Sequence, residues 1–583
     1  MSRPTRFGPR LEPGGGVTFR LWAPGARRVE LMRDEASAMQ PNGKGWYELH
    51  VAQAGAGTRY AYRIDGEREV PDPASGFQPD DAFGTSETIA HDAYAWQCSD
   101  WKGRPWHDAV ILEIHVGAFT PAGTFRGVIE RMDHIVETGV TAIELMPVAD
   151  FAGKRNWGYD GVLWFAPDSA YGRPDDLKAL VDAAHARGLM VFLDVVYNHF
   201  GPAGNFLARY APAFFTARHR TPWGDAIDYR VPEVRAFAIE NALHWLDHYR
   251  FDGLRLDAVH AIVEPGSAHI LTDLAAAAHE FAAANGRHIH LVLENDNNAA
   301  RFLKPAGGYR AQWNDDYHHA WHVLLTREGT GYYRDYQNGG EHIARTLAQG
   351  FSFQGEASAY HGGQPRGEPS AHLPRADFVN FLQNHDQIGN RPKGERLAAL
   401  AKPEAIAAAL AVLLLQPGPP LMFMGDEWGA STPFPFFCDF KDELAEAIRK
   451  GRRQEFAEAY AEHGDEIPDP LSQETRKAAV LDWAELREPA FAARLAITRE
   501  LLAVRRRHIA PLLPAMTRAG QATFENNVLR ACWGAAAKIL MLVANLSDEH
   551  KPNSVSSWGE PLWGGDPPRE LPPWTVYAGL RGA

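Results

Sequence analysis

The chain has 583 residues, too many for a single hydrophobic core, so it is expected to fold into two or three domains. Its formal net charge of −14 argues against nucleic acid and an anionic membrane surface as partners and is compatible with a neutral ligand. The three cysteines, Cys98, Cys438 and Cys532, are widely separated and odd in number. They predict neither a disulfide framework nor a cysteine-based metal site and fit a reducing compartment.

The first nine residues predict no targeting segment. No apolar core follows their charged positions, so they do not resemble a signal peptide. Elsewhere, no apolar run reaches the length of a membrane span. Together with the few cysteines, these features predict a cytoplasmic protein that contacts no membrane.

Residues 1–95 carry the pattern of a small β-domain. Apolar and polar side chains alternate in Gly16–Pro24, Arg28–Met32 and Tyr60–Gly66, with Gly, Pro and Asp between these segments. Short alternating strands separated by turns are typical of a β-sandwich. The sequence therefore predicts an N-terminal β-sandwich.

Strand-like and helix-like segments alternate through the middle of the chain. Apolar runs typical of buried parallel strands begin at Leu189, Phe251, His290 and Phe378. Helical patterns cover 174–188, 234–249 and 270–284, and the first opens on Pro and acids and ends on Arg and Gly. Over this length, the alternation predicts a (β/α)8 TIM barrel of the α/β class at residues 96–505. Strand-like runs at 527–533 and 539–546 predict a C-terminal β-domain at residues 506–583.

Polar side chains follow the apolar runs of the predicted barrel, where catalytic groups collect in this fold. Arg255 and Asp257 are two residues apart, so an extended strand points both side chains the same way. A neighbouring guanidinium favours the ionised form of a carboxylate, as a nucleophile requires. Taken alone, the pair is explained equally well as a buried structural salt bridge.

Four motifs in order resemble the conserved regions of the α-amylase family of glycoside hydrolases. They are Asp194–His199, Gly253–Asp257, Glu294 with its apolar run, and Asn384–Asp386. The resemblance implies that Asp257 is the nucleophile, Glu294 the general acid and base, and Asp386 a carboxylate that stabilises the transition state. It also implies an immunoglobulin-like N-terminal domain, as in enzymes that branch or debranch α-glucans.

These roles agree with the chemistry of retaining glycoside hydrolysis. One carboxylate attacks the anomeric carbon, and a protonated carboxyl about 5 Å away releases the leaving oxygen. Asp257, beside Arg255, suits the first role. Glu294 follows Leu291–Leu293, and a dry setting raises the pKa of a carboxyl group toward neutrality.

Other side chains are candidates for sugar binding. The resemblance implies that Tyr159 stacks under the sugar ring at the cleavage point, with Trp157 beside it, although aromatic residues more often belong to the core. Arg255 is expected at the same centre, and His199 and His385 are expected to hold sugar hydroxyls.

Within the family, the chain is most similar to enzymes that hydrolyse maltooligosyltrehalose to trehalose and a maltooligosaccharide. Contacts to the trehalose leaving group are assigned to Asn295, Asp296, Trp313, Asn314 and Asp315. A structural loop is the alternative interpretation of residues 313–319. A glycogen branching enzyme or an isoamylase-like debranching enzyme is the alternative function. A non-catalytic glucan-binding relative is disfavoured because all three carboxylates are present.

The implied reaction needs no cofactor, and no metal site is predicted. The sequence contains no calcium loop of the DxDxDG type, and calcium takes six to eight oxygen ligands. The implied partners are maltooligosyltrehalose and related α-glucans, with maltooligosyltrehalose synthase acting in the same pathway.

Overall fold

The middle of the chain closes into a barrel of eight parallel strands. The strands are β1 (Ile111–Ile114), β2 (Ala142–Leu145), β3 (Met190–Val195), β4 (Gly253–Leu256), β5 (His290–Leu293), β6 (Ala311–Trp313), β7 (Phe378–Phe381) and β8 (Pro420–Phe423). All eight are buried along their length, as expected of strands covered on both faces. The predicted TIM barrel is confirmed.

The computed structural model describes residues 5–221, 223–264, 269–303, 307–517, 519–555 and 558–582. Residues 1–4, part of the segment considered above as a targeting signal, lie outside these ranges. Within them, none of the helices combines the length and apolar character that a membrane span requires.

Helices cover the outside of the barrel and extend from its rims. Pro occupies the first turn of the four long helices Pro174–His185, Pro232–His248, Pro403–Leu415 and Pro489–Val504, where its missing N–H costs no hydrogen bond. The other helices are Val116–Phe119, Phe125–Ile129, Met132–Thr138, Leu207–Tyr210, Ile270–Asn285, Asp315–Thr326, Gly339–Gln349, His385–Gly389, Leu397–Leu400, Asp442–Glu455, Ala457–His463 and Gln473–Ala478.

The segment before β6 departs from the predicted alternation of strand and helix. Between β5 and β6 the described residues contain a single 3-10 turn, Ala300–Phe302, in place of a full helix. Residues 313–319 are not a loop, because Trp313 ends β6 and a helix begins at Asp315. A three-residue strand with a polar centre is too short to show as a periodic pattern.

The N-terminal domain is a sandwich of two antiparallel sheets, as predicted. One sheet runs Arg10–Leu11, Val17–Trp22, Trp46–Val51 and Gln40–Pro41, and the other runs Ala36–Ala38, Val29–Met32, Arg59–Ile64 and Arg68–Val70, with Ser86–Glu87 alongside. Aromatic rings join it to the barrel. Phe7 lies 5.0 Å from Phe237, and Trp22 lies 5.6 Å from Phe214, measured between ring centroids.

The C-terminal domain is a five-stranded antiparallel sheet. Its strands are Gln521–Glu525, Val528–Ala535, Lys538–Asn545, Val576–Gly582 and Glu560–Trp563, with the separate pair Lys551–Pro552 and Glu570–Leu571. It packs on helix Gly339–Gln349, where the indole of Trp533 donates to the carbonyl of Leu347 at 3.0 Å. The domain limits at residues 95 and 505 stay predictions.

Three two-stranded hairpins rise from the loops of the barrel. They are Ala149–Asp150 with Leu163–Pro167, Phe215–Thr221 with Gly224–Ile227, and Glu356–Ala357 with Pro365–Arg366. All three follow the carboxyl ends of barrel strands, so they surround the face where this fold carries its chemistry.

Candidate active site

Arg255 is the centre of the site. One guanidinium nitrogen, Nη1, donates to Asp194 Oδ2 at 2.7 Å and to Asp257 Oδ1 at 2.8 Å, and Nη2 lies 3.9 Å from Glu294 Oε2. Arg255 is fully buried, whereas the side chain of Asp257 is 12% exposed. The two side chains point the same way, as the spacing predicted, and the acid reaches the mouth of the barrel.

Asp257 is held from a second direction by Asn198. The amide of Asn198 donates to Asp257 Oδ2 at 3.0 Å and to its backbone carbonyl at 2.9 Å. Two donors therefore hold the carboxylate from both sides, which limits its rotation. This role of Asn198 was not predicted, although the residue lies in the motif Asp194–His199.

The backbone turns sharply after Asp257. Ala258 has φ of 41°, in the left-handed region that costs a non-glycine residue about 1–3 kcal/mol. In this conformation its N–H donates to Glu294 Oε2 at 2.6 Å. Through this hydrogen bond, Ala258 links the end of the strand before Asp257 to the end of the strand before Glu294.

Glu294 has the environment of a general acid. Burial raises its pKa above the ordinary range of a glutamate. Arg255 and His260 lower the pKa, while the Asp257 and Asp386 carboxylates raise it further. The predicted elevation of this pKa by burial is confirmed, so Glu294 holds a proton at higher pH than an exposed glutamate does.

Asp386 lies beside His385 in a second group of charged side chains at the site. The imidazole of His385 pairs with Glu113 Oε1 at 2.5 Å and with Asp386 Oδ1 at 3.4 Å. Burial lowers the pKa of His385, but Glu113 and Asp386 outweigh it and raise the pKa well above its ordinary value. Burial raises the pKa of Asp386, and the cationic His385 overcomes this, so the net shift is downward. Asp386 is therefore held as an anion.

Tyr159 lies beside this group of charges. Its hydroxyl donates to Asp194 Oδ2 at 2.5 Å, and its ring stacks on His385 with centroids 5.0 Å apart. The ring of Tyr159 is partly exposed, so part of its aromatic surface is accessible beside Asp386. The structure brings Tyr159 and His385 together with the three carboxylates, and their role as sugar contacts stays a prediction.

His199 lies behind Tyr159, and its role in holding sugar hydroxyls stays a prediction. Its Nε2 meets the backbone carbonyl of Tyr159 at 2.9 Å, and burial lowers its pKa. The ring stacks on Trp223 at 4.1 Å, and Trp223 is 46% exposed.

Three predicted sugar contacts are buried behind the site in this structure, and their role in sugar binding stays a prediction. The ring of Trp157 is stacked on Phe434 at 5.3 Å. Trp313 lies under the Arg255 guanidinium, 4.0 Å from it, and is 1% exposed. Asn314 is fully buried and donates to Asn380 and to the carbonyl of Gly350. These residues support the side chains of the site from behind.

The burial of Trp313 leads to a stability prediction. Replacing Trp313 by Ala is expected to destabilise the fold by about 3–5 kcal/mol, because a large buried ring is lost and its cavity remains. Turnover is also expected to fall, since Arg255 loses the surface that positions it. Thermal unfolding followed by circular dichroism tests this, with Trp313→Phe as a control that keeps a ring. Equal midpoints for wild type and Trp313→Ala would contradict it.

Three candidates remain. The side chains of Asn295 and Asp296 bond to neighbouring parts of the chain, whereas that of Asp315 does not within the described residues. Asn295 is buried and its Oδ1 accepts the N–H of Asn297, so it shapes the loop. Asp296 pairs with Arg366 and with His361, both at 3.2 Å. Asp315 is half-buried, and its carboxyl makes no hydrogen bond with the part of the chain that the structure describes. Of these three residues, Asp315 is therefore the one whose carboxyl group is free of hydrogen bonds within the described part of the chain.

The electrostatic surroundings of Asp315 are acidic. Burial raises its pKa well above the ordinary range of an aspartate, and Glu294 and Asp296 raise it further. Asp315 starts the helix after β6, and β6 lies between the strands that carry Glu294 and Asp386. A neutral carboxyl group between two catalytic positions is a hydrogen-bond donor as well as an acceptor.

Two further carboxylates support the site from inside the barrel. Glu113 on β1 pairs with His385, and Asp194 on β3 pairs with Arg255 and Tyr159. Burial raises the pKa of Asp194 to about 7, an effect that Arg255 opposes. Glu113 was missed, although an acid inside the apolar strand Ile111–Ile114 is itself a signal of function.

Family models match the chain in two places. Residues 6–95 match carbohydrate-binding module 48, the isoamylase N-terminal domain, and residues 80–212 match the alpha amylase catalytic domain. In the solved structures, a Salmonella typhimurium chain described as an alpha amylase has a TM-score of 0.95 at 42% identity and covers 99% of this chain and 100% of its own. The pullulanase of Paenibacillus barengoltzii, at 21% identity, covers 100% of this chain and 96% of its own with a TM-score of 0.75, which shows the shared fold.

Curated relatives match over most of the chain. The malto-oligosyltrehalose trehalohydrolase of Deinococcus radiodurans is 42% identical over 92% of this chain and 89% of its own length. That of Saccharolobus solfataricus is 40% identical over 82% of this chain and 83% of its own. By contrast, a 1,4-alpha-glucan branching enzyme of Mycobacterium tuberculosis matches only 42% of this chain. The chain therefore belongs to the malto-oligosyltrehalose trehalohydrolase family, within the α-amylase family of glycoside hydrolases.

Proposed function

We propose that this protein is a retaining hydrolase of the α-1,4-glucosidic bond next to the terminal trehalose of maltooligosyltrehalose. The observation that carries the proposal is the pairing of Asp257 and Glu294 with one buried guanidinium, Arg255, in a chain of this family. The products are trehalose and a maltooligosaccharide.

The first step forms a covalent intermediate. An oxygen of Asp257 attacks the anomeric carbon of the glucosyl unit, while the carboxyl of Glu294 donates its proton to the glycosidic oxygen. The bond from that carbon to the oxygen breaks, and trehalose leaves with the proton. Asp386, held as an anion by His385, opposes the positive charge that develops on the sugar ring.

The second step releases the sugar. Glu294, now a carboxylate, takes a proton from water, and the water oxygen attacks the anomeric carbon. The bond to Asp257 breaks, which restores the carboxylate and leaves the product with its original α configuration. The residue that acted as acid thus acts as base, and both active carboxyl groups return to their starting states.

The product profile tests this function. Purified protein is incubated with maltooligosyltrehalose, and maltopentaose and amylopectin serve as controls. Free trehalose with a shorter maltooligosaccharide, and little action on the controls, is expected. New α-1,6 branches or debranching of amylopectin without trehalose would assign the protein to the branching or debranching enzymes.

The neutral form of the Asp315 carboxyl group is proposed to bind a hydroxyl group of the trehalose leaving group. Asp315→Asn keeps the shape and a donor, so its KM is expected to stay within about twofold of the wild-type value, whereas Asp315→Ala raises KM about tenfold. Steady-state kinetics of the two variants, with circular dichroism as a check of folding, measure the difference. A tenfold loss in Asp315→Asn would show that the carboxyl acts as an anion instead.

The setting of the reaction is also proposed. We place the reaction in the cytoplasm, because the three widely separated cysteines fit a reducing compartment. Maltooligosyltrehalose synthase supplies the substrate as the pathway partner, and neither nucleic acid nor a membrane takes part.

A further inference from the structure

A second cleft lies beside the barrel mouth, away from Glu294. It has a volume of about 520 Å³ and is lined by two segments, helix Asp442–Glu455 with the following Tyr460, and residues 464–478. Binding sites for small ligands span about 300–1,000 Å³. Both segments come after β8 and before the last barrel helix, so they are an addition that the barrel itself does not need.

Direct contacts place this helix next to the segment that follows Asp386. Arg452 Nη2 donates to the carbonyl of Gly389 at 2.9 Å, three residues beyond Asp386. The guanidinium of Arg452 also lies 5.1 Å from the ring of Phe436, which packs on Trp157 at 5.2 Å. The helix is therefore anchored on the β7 and β8 side of the mouth.

The direction of the substrate follows from the position of the acid. Glu294 follows β5 and must reach the leaving oxygen to protonate it, which favours a leaving sugar on the β5 side of the cleaved bond. The rest of the glucan must leave the centre in the other direction, toward β7, β8 and β1. The cleft is on the side to which the donor chain extends.

The lining suits a neutral ligand rich in hydroxyl groups. Arg449 pairs with Asp469 at 3.0 Å and with Glu446 at 2.6 Å on one wall of the cleft. Arg453 lies over the ring of Tyr460, 6.0 Å from its centroid. Aromatic rings stack on apolar faces, and guanidinium and carboxylate groups bond to pairs of hydroxyls. Because the two arginines are accompanied by acids, the cleft is not built for an anion.

We propose that this cleft is a remote donor subsite that binds the non-reducing end of long maltooligosaccharide chains. The inference rests on the proposed function, because it assumes that the glucan is the donor. Tyr460 supplies the stacking surface, and Arg453 bonds to the hydroxyls of the same sugar. Short substrates end before the cleft and do not use it.

Substrates of two lengths test the subsite. Tyr460→Ala and Arg453→Ala are each expected to raise KM for a long maltooligosyltrehalose about fivefold to tenfold, with kcat unchanged, as for one lost contact. For glucosyltrehalose, which has one glucosyl unit on the donor side, KM is expected to stay at the wild-type value. Lys450→Ala is the matched control, since this exposed residue is on the same helix and outside the cleft.

The outcomes separate this inference from the proposed function. Equal changes in KM for the long and the short substrate, or no change for the long one, would overturn the subsite while trehalose release stands. If the wild type releases no trehalose, the proposed function fails, and the subsite is then tested by calorimetry with maltoheptaose. Weaker binding of maltoheptaose to Tyr460→Ala than to Lys450→Ala would support the subsite, and equal binding would overturn it.

Discussion

Asp257→Asn is expected to lower kcat for trehalose release by at least about 10⁴-fold, the scale seen when a nucleophile is removed. The amide is nearly isosteric with the carboxylate, but it cannot form the ester to the anomeric carbon. Arg255 keeps its bond to Asp194, and Trp313 keeps its place under the guanidinium, so the fold is expected to remain. Single-turnover kinetics and the unfolding midpoint are the two measurements.

Chemical rescue distinguishes loss of the nucleophile from general damage to the site. In Asp257→Gly, the space of the carboxylate is open to azide, which attacks the anomeric carbon from the same face. The product from maltooligosyltrehalose is then the β-azide of the maltooligosaccharide, with the configuration at the anomeric carbon inverted, and trehalose is released. The absence of this product, or near-normal turnover in Asp257→Asn, would remove Asp257 as the nucleophile.

The barrel was predictable because its central strands are long apolar runs with polar ends. β3, β4, β5 and β7 lie where the sequence placed them, since strands buried on both faces need continuous apolar side chains. β6 was not found, because three residues with Gln312 at the centre resemble a loop. The short connection before it also breaks the alternation on which the prediction relied.

The main carboxylates of the site were predictable for a different reason. Asp257, Glu294 and Asp386 occur in motifs, so their order along the chain was enough to find them. Sequence could not separate a residue that faces the mouth from one that lies behind it. Trp313 and Tyr159 are both aromatics near motifs, yet one is a buried support of Arg255 and the other is partly exposed. That distinction depends on packing between strands that are distant in sequence.

Glu294→Gln is expected to lower kcat/KM for maltooligosyltrehalose by about 10²–10⁴-fold, the usual contribution of a general acid. Trehalose is a poor leaving group without a proton. Fluoride needs none, so α-maltosyl fluoride is still expected to form the covalent intermediate in the variant. Water attack then lacks its base, and added azide is expected to restore turnover and to yield the α-azide.

The pH dependence of kcat/KM provides a second and sharper test of the role of Glu294. Glu294 must carry its proton in the first step, so kcat/KM of the wild type is expected to fall as pH rises through the pKa of this group. Burial raises that pKa, which shifts the decline to higher pH than an exposed glutamate would allow. The residual kcat/KM of Glu294→Gln is expected to lack this alkaline decline. If the decline persists, the acid is another group of the site, and Asp315, with its raised pKa beside Glu294, is the residue to replace next.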